Sequence, residues 1–204
     1  MTLSVLSGCL WQVLLVSYVI EASLVKAQLD ARELIMLRAL RFVRAFRLDR
    51  ILRFEGSNHR FIDYFPRMEK VDAIKRIFGD ATEDVLHNLK VEFTGIGGYM
   101  WVNGQNGHLM VSSRYLNDGD KIDIYLDLIH ELVHVRQFME GKELFDEHYS
   151  YIERPTEVEA YRYAIEEARR IGLSEERICQ YLKTEWMSEQ DLRRLATMLN
   201  VRCE

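Results

Sequence analysis

An apolar stretch that carries two histidines constrains this 204-residue chain more than any other feature. Residues 122–139 contain neither proline nor glycine and follow Asp120, a good capping residue, so we predict one helix here. His130 and His134 are four residues apart, which places both imidazoles on one face of that helix, one turn apart. The neighbouring side chains are apolar enough to bury the helix, and burying two unpaired imidazoles costs free energy. The pattern therefore indicates that the two histidines have a functional role inside the core.

The two histidines and the glutamate after the first of them form the pattern His-Glu-x-x-His. Imidazoles at this spacing reach one metal ion, and zinc accepts such nitrogen ligands in tetrahedral geometry. The carboxylate of Glu131 would lie beside a metal-activated water without binding the metal, where it accepts the proton of that water. We therefore interpret His130 and His134 as ligands of Zn²⁺ and Glu131 as the catalytic base.

A catalytic zinc usually has three protein ligands, so a third must come from elsewhere in the chain. Gln137 and Glu140 stand where the metzincin pattern requires glycine and histidine, which excludes that class. The third ligand must then lie outside the first helix.

A second helix predicted over residues 156–171 offers two carboxylates as the third ligand. Glu157 shares its face with small residues that allow close packing, namely Ala160, Ala164 and Ala168. Glu159 shares a more polar face, and it lies three residues after Thr156, where it would complete a capping box. We therefore favour Glu157 as the ligand, with Glu159 and His148 as alternatives.

The helix with His130-Glu131-x-x-His134, followed by a helix that opens with Glu157-x-x-Ala160, resembles the gluzincin metallopeptidases. It is similar to their small soluble forms, the minigluzincins, to the catalytic cores of CAAX prenyl endopeptidases and to phage-repressor-cleaving regulatory peptidases. The resemblance covers about residues 90–170. Such families often have asparagine or aspartate after the alanine, whereas this chain has Tyr161. The groups that orient the histidines are therefore expected elsewhere.

The resemblance implies a mixed sheet beside the metal-binding helix, with one edge strand lining a cleft. An extended peptide would add to that edge through main-chain hydrogen bonds. Residues 99–112 are the candidate hairpin, and a purely structural hairpin is the alternative. Peptide hydrolysis also needs a donor that stabilises the negative charge developing on the substrate carbonyl oxygen. The candidates near the third ligand are Tyr149, Tyr151, Arg154, Tyr161 and His148.

The remaining periodicity predicts an α+β fold that is mainly helical, with a small mixed β-sheet beside the histidine helix. Short helices are predicted at residues 71–78, 82–89, 174–182 and 188–199, the last two capped by serines. Strands are predicted at residues 90–94, 99–103 and 108–112, with a bend at the glycine cluster of residues 95–98. We divide the chain into residues 1–60, a helical hairpin, and residues 61–204, a zincin-like domain.

The N-terminal region has two unusual segments. Residues 1–20 carry no charge and are about long enough to span a bilayer, but polar residues dilute them. We favour a buried helix, with membrane association through residues 1–25 as the alternative. We predict a long helix over residues 30–54, with an arginine at every third position from Arg38 to Arg53. Because an α-helix has 3.6 residues per turn, these arginines are distributed around the helix and do not share one face. A basic surface helix is favoured, and contact with an anionic surface is the alternative.

The three cysteines, Cys9, Cys179 and Cys203, are far apart, so we expect no disulfide framework and a reducing, cytoplasmic location. Membrane association through the N-terminus remains the alternative location. Acidic residues in the C-terminal helices argue against DNA contact, so no specific nucleic acid is predicted.

The expected function is a zinc-dependent metallopeptidase that acts on a peptide or protein substrate. The alternative is a non-catalytic or regulatory metal-binding protein that acts through the basic N-terminal helix on a membrane or nucleic-acid surface. The metal site would then be structural.

Overall fold

The computed structural model describes residues 35–37, 39, 58–95 and 98–203. These residues form mostly helices around a small four-stranded mixed sheet, which is the α+β fold predicted from the sequence. The strands are β1 His59–Arg60, β2 Lys90–Thr94, β3 Met100–Val102 and β4 Leu109–Ser112. The helices from residue 59 onward are α1 Phe61–Tyr64, α2 Asp72–Phe78, α3 Thr82–Asn88, α4 Ser113–Asp118, α5 Lys121–Met139, α6 Pro155–Arg170, α7 Glu175–Leu182 and α8 Glu189–Met198.

The sheet has the strand order β1-β2-β4-β3, so β3 is an edge strand. β1 pairs with β2 antiparallel, β2 with β4 parallel, and β4 with β3 antiparallel. Buried and partly exposed residues alternate along β2, as expected for a strand with one face on the core. The hairpin predicted over residues 99–112 is confirmed as the β3–β4 pair.

The turn of this hairpin is fixed against the C-terminal part of α5. Asn103 donates its backbone N–H to the carbonyl of His108 at 2.9 Å, which closes the turn. Gly107 has φ +72°, and a Cβ atom there would lie 2.5 Å from the ring of Phe138. Only glycine meets both conditions, so this position holds the hairpin close to the histidine helix.

Helix α5 is the central helix of the described domain. Asp120 caps it, because its carboxylate accepts hydrogen bonds from the backbone N–H groups of Ile122 and Asp123 at 2.9 and 3.1 Å. A helix that is apolar on most sides is typically buried. Its fully buried apolar residues include Ile124, Leu126, Leu128, Ile129, Leu132 and Val133.

Helix α6 packs along α5 through a stripe of small residues, Ala160, Ala164 and Ala168, which are completely buried. Pro155 occupies its first turn, where the missing N–H has no intrahelical partner to lose. Further along the contact, the buried Glu167 accepts a hydrogen bond from the hydroxyl of Tyr125 at 2.6 Å. The close approach brings the first turn of α6 beside the histidines of α5.

The C-terminal helices begin as predicted, with Ser174 and Ser188 accepting hydrogen bonds from backbone N–H groups of the first turns. The sequence analysis expected no disulfide framework, whereas Cys179 and Cys203 form one disulfide with a Cα–Cα distance of 5.4 Å. The chain after α8 returns to the start of α7, where Glu175 accepts the backbone N–H of Arg202 at 3.1 Å. This return brings together two cysteines that are distant in the sequence.

Most predictions for the N-terminal region lie outside the described residues. This holds for the membrane association through residues 1–25 and for most of the arginine-rich helix, and the division of the chain at residue 60 stays a prediction. Residues 35–37 and 39 of that helix are helical, and Ala39 is buried in the core. None of the helices in the described part of the chain combines the length and apolar composition that crossing a membrane requires.

Candidate metal centre

The two histidines of α5 point toward each other inside the core. His130 and His134 are each 6% exposed, and their Nε2 atoms are 3.0 Å apart. Two ring nitrogens at this distance share one small space, as the spacing in the sequence predicts. The pair alone can supply two donor atoms to one ion.

Glu157 of α6 completes a group of three donor atoms. Its Oε2 lies 3.2 Å from His130 Nε2 and 3.5 Å from His134 Nε2, and its side chain is buried. An ion held tetrahedrally at about 2.0–2.1 Å from each donor requires donor–donor separations of about 3.3 Å. The three separations are close to that value. Among the described residues, these three side chains form the one group of His, Cys, Asp and Glu that could hold a metal ion.

Several polar atoms of the centre are buried without a hydrogen bond. They are Nδ1 of His130, Oε2 of Glu131 and Oε2 of Glu157. Buried polar atoms in proteins are almost always paired, so an unpaired group of this kind requires an explanation. A metal ion bound by the carboxylate of Glu157, with a water beside Glu131, would pair two of the three.

The charges at the centre are strongly coupled. Burial acts to raise the pKa of Glu157, but the adjacent His130 and His134 outweigh it and hold that pKa well below its ordinary value. Burial acts to lower the pKa of His134, but the carboxylates of Glu157 and Glu131 outweigh it and raise that pKa to about 9. The pKa of His130 is lowered, mainly by burial. The site therefore favours an ionised carboxylate and a positive charge beside it.

Gln137 orients His134 from one turn further along α5. Its side chain is fully buried, and its Oε1 lies 2.7 Å from Nδ1 of His134. The amide nitrogen donates to the carbonyl of Thr156 at 3.0 Å and to Glu159 at 2.8 Å, so the amide oxygen must face the histidine. His134 then carries a proton on Nδ1, which leaves its Nε2 available as a ligand atom. The sequence analysis used Gln137 only to exclude the metzincin pattern and missed this role.

Glu131 is buried beside the histidines and close to the edge strand. It is 8% exposed, and burial raises the pKa of its carboxyl to about 8. The nearby His134 and a hydrogen bond from the backbone of Val102 act against this shift. A carboxylate with a pKa near neutrality accepts and returns a proton readily at physiological pH.

The alternatives for the third ligand lie away from the histidines. Glu159 binds Arg136 at 2.5 Å, Gln137 at 2.8 Å and Lys142 at 3.2 Å. The expected capping box is wrong, because Pro155 starts the helix earlier and Thr156 donates to the carbonyl of Leu144 instead. The side chain of His148 is 93% exposed and pairs with Asp146.

Two tyrosines form the wall next to the donor group. The ring of Tyr161 meets the ring of His130 edge-on with 4.5 Å between centroids, and its hydroxyl lies 3.1 Å from the hydroxyl of Tyr151. Burial raises the pKa of both hydroxyls, so both keep their protons. Of the other candidate donors, Tyr149 is 45% exposed, and Arg154 lies beside the remaining oxygen of Glu157 at 3.9 Å.

The donor group lies beside a cleft of about 640 Å³, which its member His130 lines. Glu131 also lines it, together with Tyr99 and Met100 of the edge-strand region. Residues that the sequence analysis did not single out also line it, among them Tyr115, Asp127, Tyr181 and Trp186. Its volume lies within the range of about 300–1,000 Å³ that is typical of ligand-binding clefts.

Comparisons with known proteins leave the family of this chain open. No protein-family model, curated protein or solved structure matches it. The geometry by itself shows a buried group of two imidazoles and one carboxylate that is compatible with a His-Glu-x-x-His metal site.

Proposed function

We propose that this chain is a zinc-dependent metallopeptidase of the gluzincin type, with His130, His134 and Glu157 as the zinc ligands. The observation that carries the proposal is the convergence of three buried donor atoms within 3.5 Å of one another. Two imidazoles and one carboxylate are the donor set of many catalytic zinc sites, which keep a fourth position open. The cleft beside the donor group supports such a position.

The chemistry divides between the ion and the residues around it. Bound zinc would supply Lewis acidity, which activates a water and polarises the peptide carbonyl. Glu131 takes a proton from the attacking water and later returns it to the leaving amine. Burial raises the pKa of this carboxyl to about 8 in the metal-free protein, and the positive charge of a bound cation would lower it, so that the carboxylate is ionised and able to accept the proton.

The edge strand offers a place for the substrate. β3 is an edge strand of the sheet that the described residues form, so one side of its backbone pairs with no other strand of that sheet. An extended peptide laid along this side would run past Met100 and enter the cleft above Glu131. Main-chain hydrogen bonds would then hold the peptide whatever its side chains are.

The two tyrosine hydroxyls are suited to stabilise the negative charge that develops on the carbonyl oxygen. Tyr151 and Tyr161 both line the cleft, and both hydroxyls remain protonated. A hydroxyl that already shares a hydrogen bond with a second one is held in place before the reaction. Tyr161 also fixes the position of His130 by its ring contact.

The test is cleavage of a peptide library by the full chain loaded with one equivalent of zinc, analysed by mass spectrometry. The Glu131→Gln variant is expected to bind zinc as tightly as wild type while losing about 10²-fold or more in cleavage rate. Glu143→Gln is a matched control, because this exposed glutamate lies just beyond the end of the same helix. It should cleave at the rate of the wild type.

Two outcomes would contradict the proposal. Equal cleavage by wild type and Glu131→Gln would show that the activity does not depend on this centre. Tight zinc binding without cleavage of any peptide would favour the alternative of a structural or regulatory metal site.

A further inference from the structure

The cleft extends from the metal centre along α5 toward a second carboxylate. Asp127 precedes Glu131 by four residues, so both side chains lie on the same face of the helix, one turn apart. Both line the same cleft as His130. A substrate bound above Glu131 would therefore pass within reach of Asp127.

Asp127 differs from the other aspartates that line the cleft, because each of those lies beside an arginine. Asp118 lies 3.7 Å from Arg114, and Asp123 lies 2.6 Å from Arg177. Asp127 forms no ion pair within the described ranges. Its carboxylate accepts a hydrogen bond from the hydroxyl of Tyr115 at 2.5 Å.

The basic residues that line the cleft are already paired. Arg114 lies beside Asp118, and Lys183 donates to Glu189 at 2.5 Å. Neither has an ion pair with Asp127 in the described structure. The carboxylate of Asp127 is therefore available to form an ion pair with a cationic group of a ligand that enters the cleft.

A second observation points to a missing polar partner at the same place. The side chain of Tyr181 lines the cleft and is only 9% exposed, and its hydroxyl interacts with the carboxylate of Asp127. The hydroxyl of Thr184, another residue that lines the cleft, is buried and has no hydrogen-bond partner among the described residues. A buried hydroxyl without a partner is uncommon in proteins, so Thr184 favours a polar ligand beside Asp127 and Tyr181.

The walls around Asp127 are aromatic. The rings of Tyr99 and Tyr115 meet edge-on at 4.9 Å between centroids, and both line the cleft. Aromatic faces attract cations, and they also contact the aliphatic stem of a lysine or arginine side chain. A carboxylate between tyrosines therefore provides both features that such a side chain requires.

We propose that Asp127, with the hydroxyls of Tyr115 and Tyr181, forms a subsite that binds a positively charged group of the peptide substrate close to the scissile bond. The group is a basic side chain or the amino terminus, since both present an N–H cation to a carboxylate. The inference rests on the proposed peptidase function for its substrate, whereas the subsite itself rests on the groups described above.

The test measures binding to the full chain, loaded with zinc and carrying Glu131→Gln so that no peptide is consumed. Three short peptide amides of one sequence are compared by calorimetry: acetylated with arginine, acetylated with citrulline, and non-acetylated with citrulline. Citrulline keeps the shape of arginine but lacks its charge. We expect at least one cationic peptide to bind about 10-fold or more tightly than the acetylated citrulline peptide.

Adding Asp127→Asn to this protein distinguishes binding at the subsite from a general attraction of cations to the acidic residues of the cleft. It should bring the affinity ratio of cationic to neutral peptide close to one. Asp118→Asn changes an exposed residue of the same cleft and should leave that ratio as it is in the zinc-loaded Glu131→Gln protein. The arginine and amino-terminal peptides show which cation the subsite accepts.

Equal binding of all three peptides, no binding of the cationic peptides, or a preference that survives Asp127→Asn would each overturn the subsite. The zinc content and the cleavage rate of the otherwise wild-type protein report separately on the proposed function. A preference that depends on Asp127 in a protein without cleavage would contradict the peptidase and leave the cation subsite standing.

Discussion

The buried side chain of Gln137 accepts a hydrogen bond from Nδ1 of His134 at 2.7 Å. The same amide donates to Thr156 and Glu159, so it connects the histidine helix α5 to the first turn of α6. One residue thus orients a proposed ligand and fixes the position of the helix that supplies another. Groups that orient the ligands of a metal commonly contribute to affinity without touching the ion.

Replacing Gln137 is therefore expected to weaken zinc binding. Gln137→Leu removes the acceptor for His134 and should lower the zinc affinity by about 10- to 100-fold. Competition with a chelating dye gives the affinity, and circular dichroism checks that the helices remain. Gln105→Leu, in the exposed hairpin turn, is the control and should bind zinc as the wild type does. Unchanged affinity in Gln137→Leu would remove this residue from the account of the site.

The tyrosine pair is expected to affect catalysis more than binding. Tyr161→Phe and Tyr151→Phe each remove one hydroxyl from the pair and should lower kcat by about 10- to 100-fold, with a small change in KM. Zinc content should stay at one per chain, because neither hydroxyl is among the proposed donors. Tyr149→Phe is the matched control, since that side chain is 45% exposed. A loss confined to KM would place the tyrosines in substrate binding instead.

Zinc affinity should depend on pH in a defined direction. In the metal-free protein the pKa of His134 is raised to about 9, so its imidazole is protonated at neutral pH. Zinc and that proton compete for the same nitrogen, and binding must release the proton. The affinity should therefore increase by about tenfold per pH unit from pH 7 toward 9 and then level off. Dye competition at several pH values measures this slope, and a flat profile would argue against His134 as a ligand.

The disulfide should contribute to stability rather than to the metal centre. Cys179 and Cys203 are 24 residues apart, and closing a loop of this length stabilises a fold by about 3 kcal/mol. Cys179→Ser should lower the free energy of unfolding by that amount while zinc content stays unchanged. Cys203→Ser should do the same, and the double variant should lose no more than either single variant. Finding three free thiols in the purified, non-reduced protein would show that the bond does not form.

The sequence predicted the parts of the site that depend on one helix. The spacing of His130 and His134 determines their common face, and the alanine stripe indicated the buried face of Glu157. The start of α6 was predicted to within one residue, but the capping role given to Thr156 was wrong, because its hydroxyl donates to the carbonyl of Leu144. Gln137 was missed, although its position three residues after His134 places it on the same face.

Features that depend on distant contacts were beyond the sequence. The β3–β4 hairpin was predicted from its turn, but the two-residue strand β1 and the parallel pairing of β2 with β4 were not. Parallel pairing has no local turn signal, since its strands are joined by a longer connection. The cysteine pair was missed for the same reason, because the chain returns to α7 only after α8 has formed its contacts.

The central claim is that one zinc ion is held by His130, His134 and Glu157. X-ray absorption at the zinc edge of protein loaded with one equivalent tests it most directly. We expect two imidazole nitrogens and one or more oxygens at about 2.0–2.2 Å, without sulfur, in the wild type. Glu157→Ala should bind zinc at least about 10-fold more weakly, whereas Glu159→Ala should keep the wild-type spectrum and affinity. A sulfur ligand, a spectrum without imidazole, or equal zinc binding by Glu157→Ala would contradict the claim.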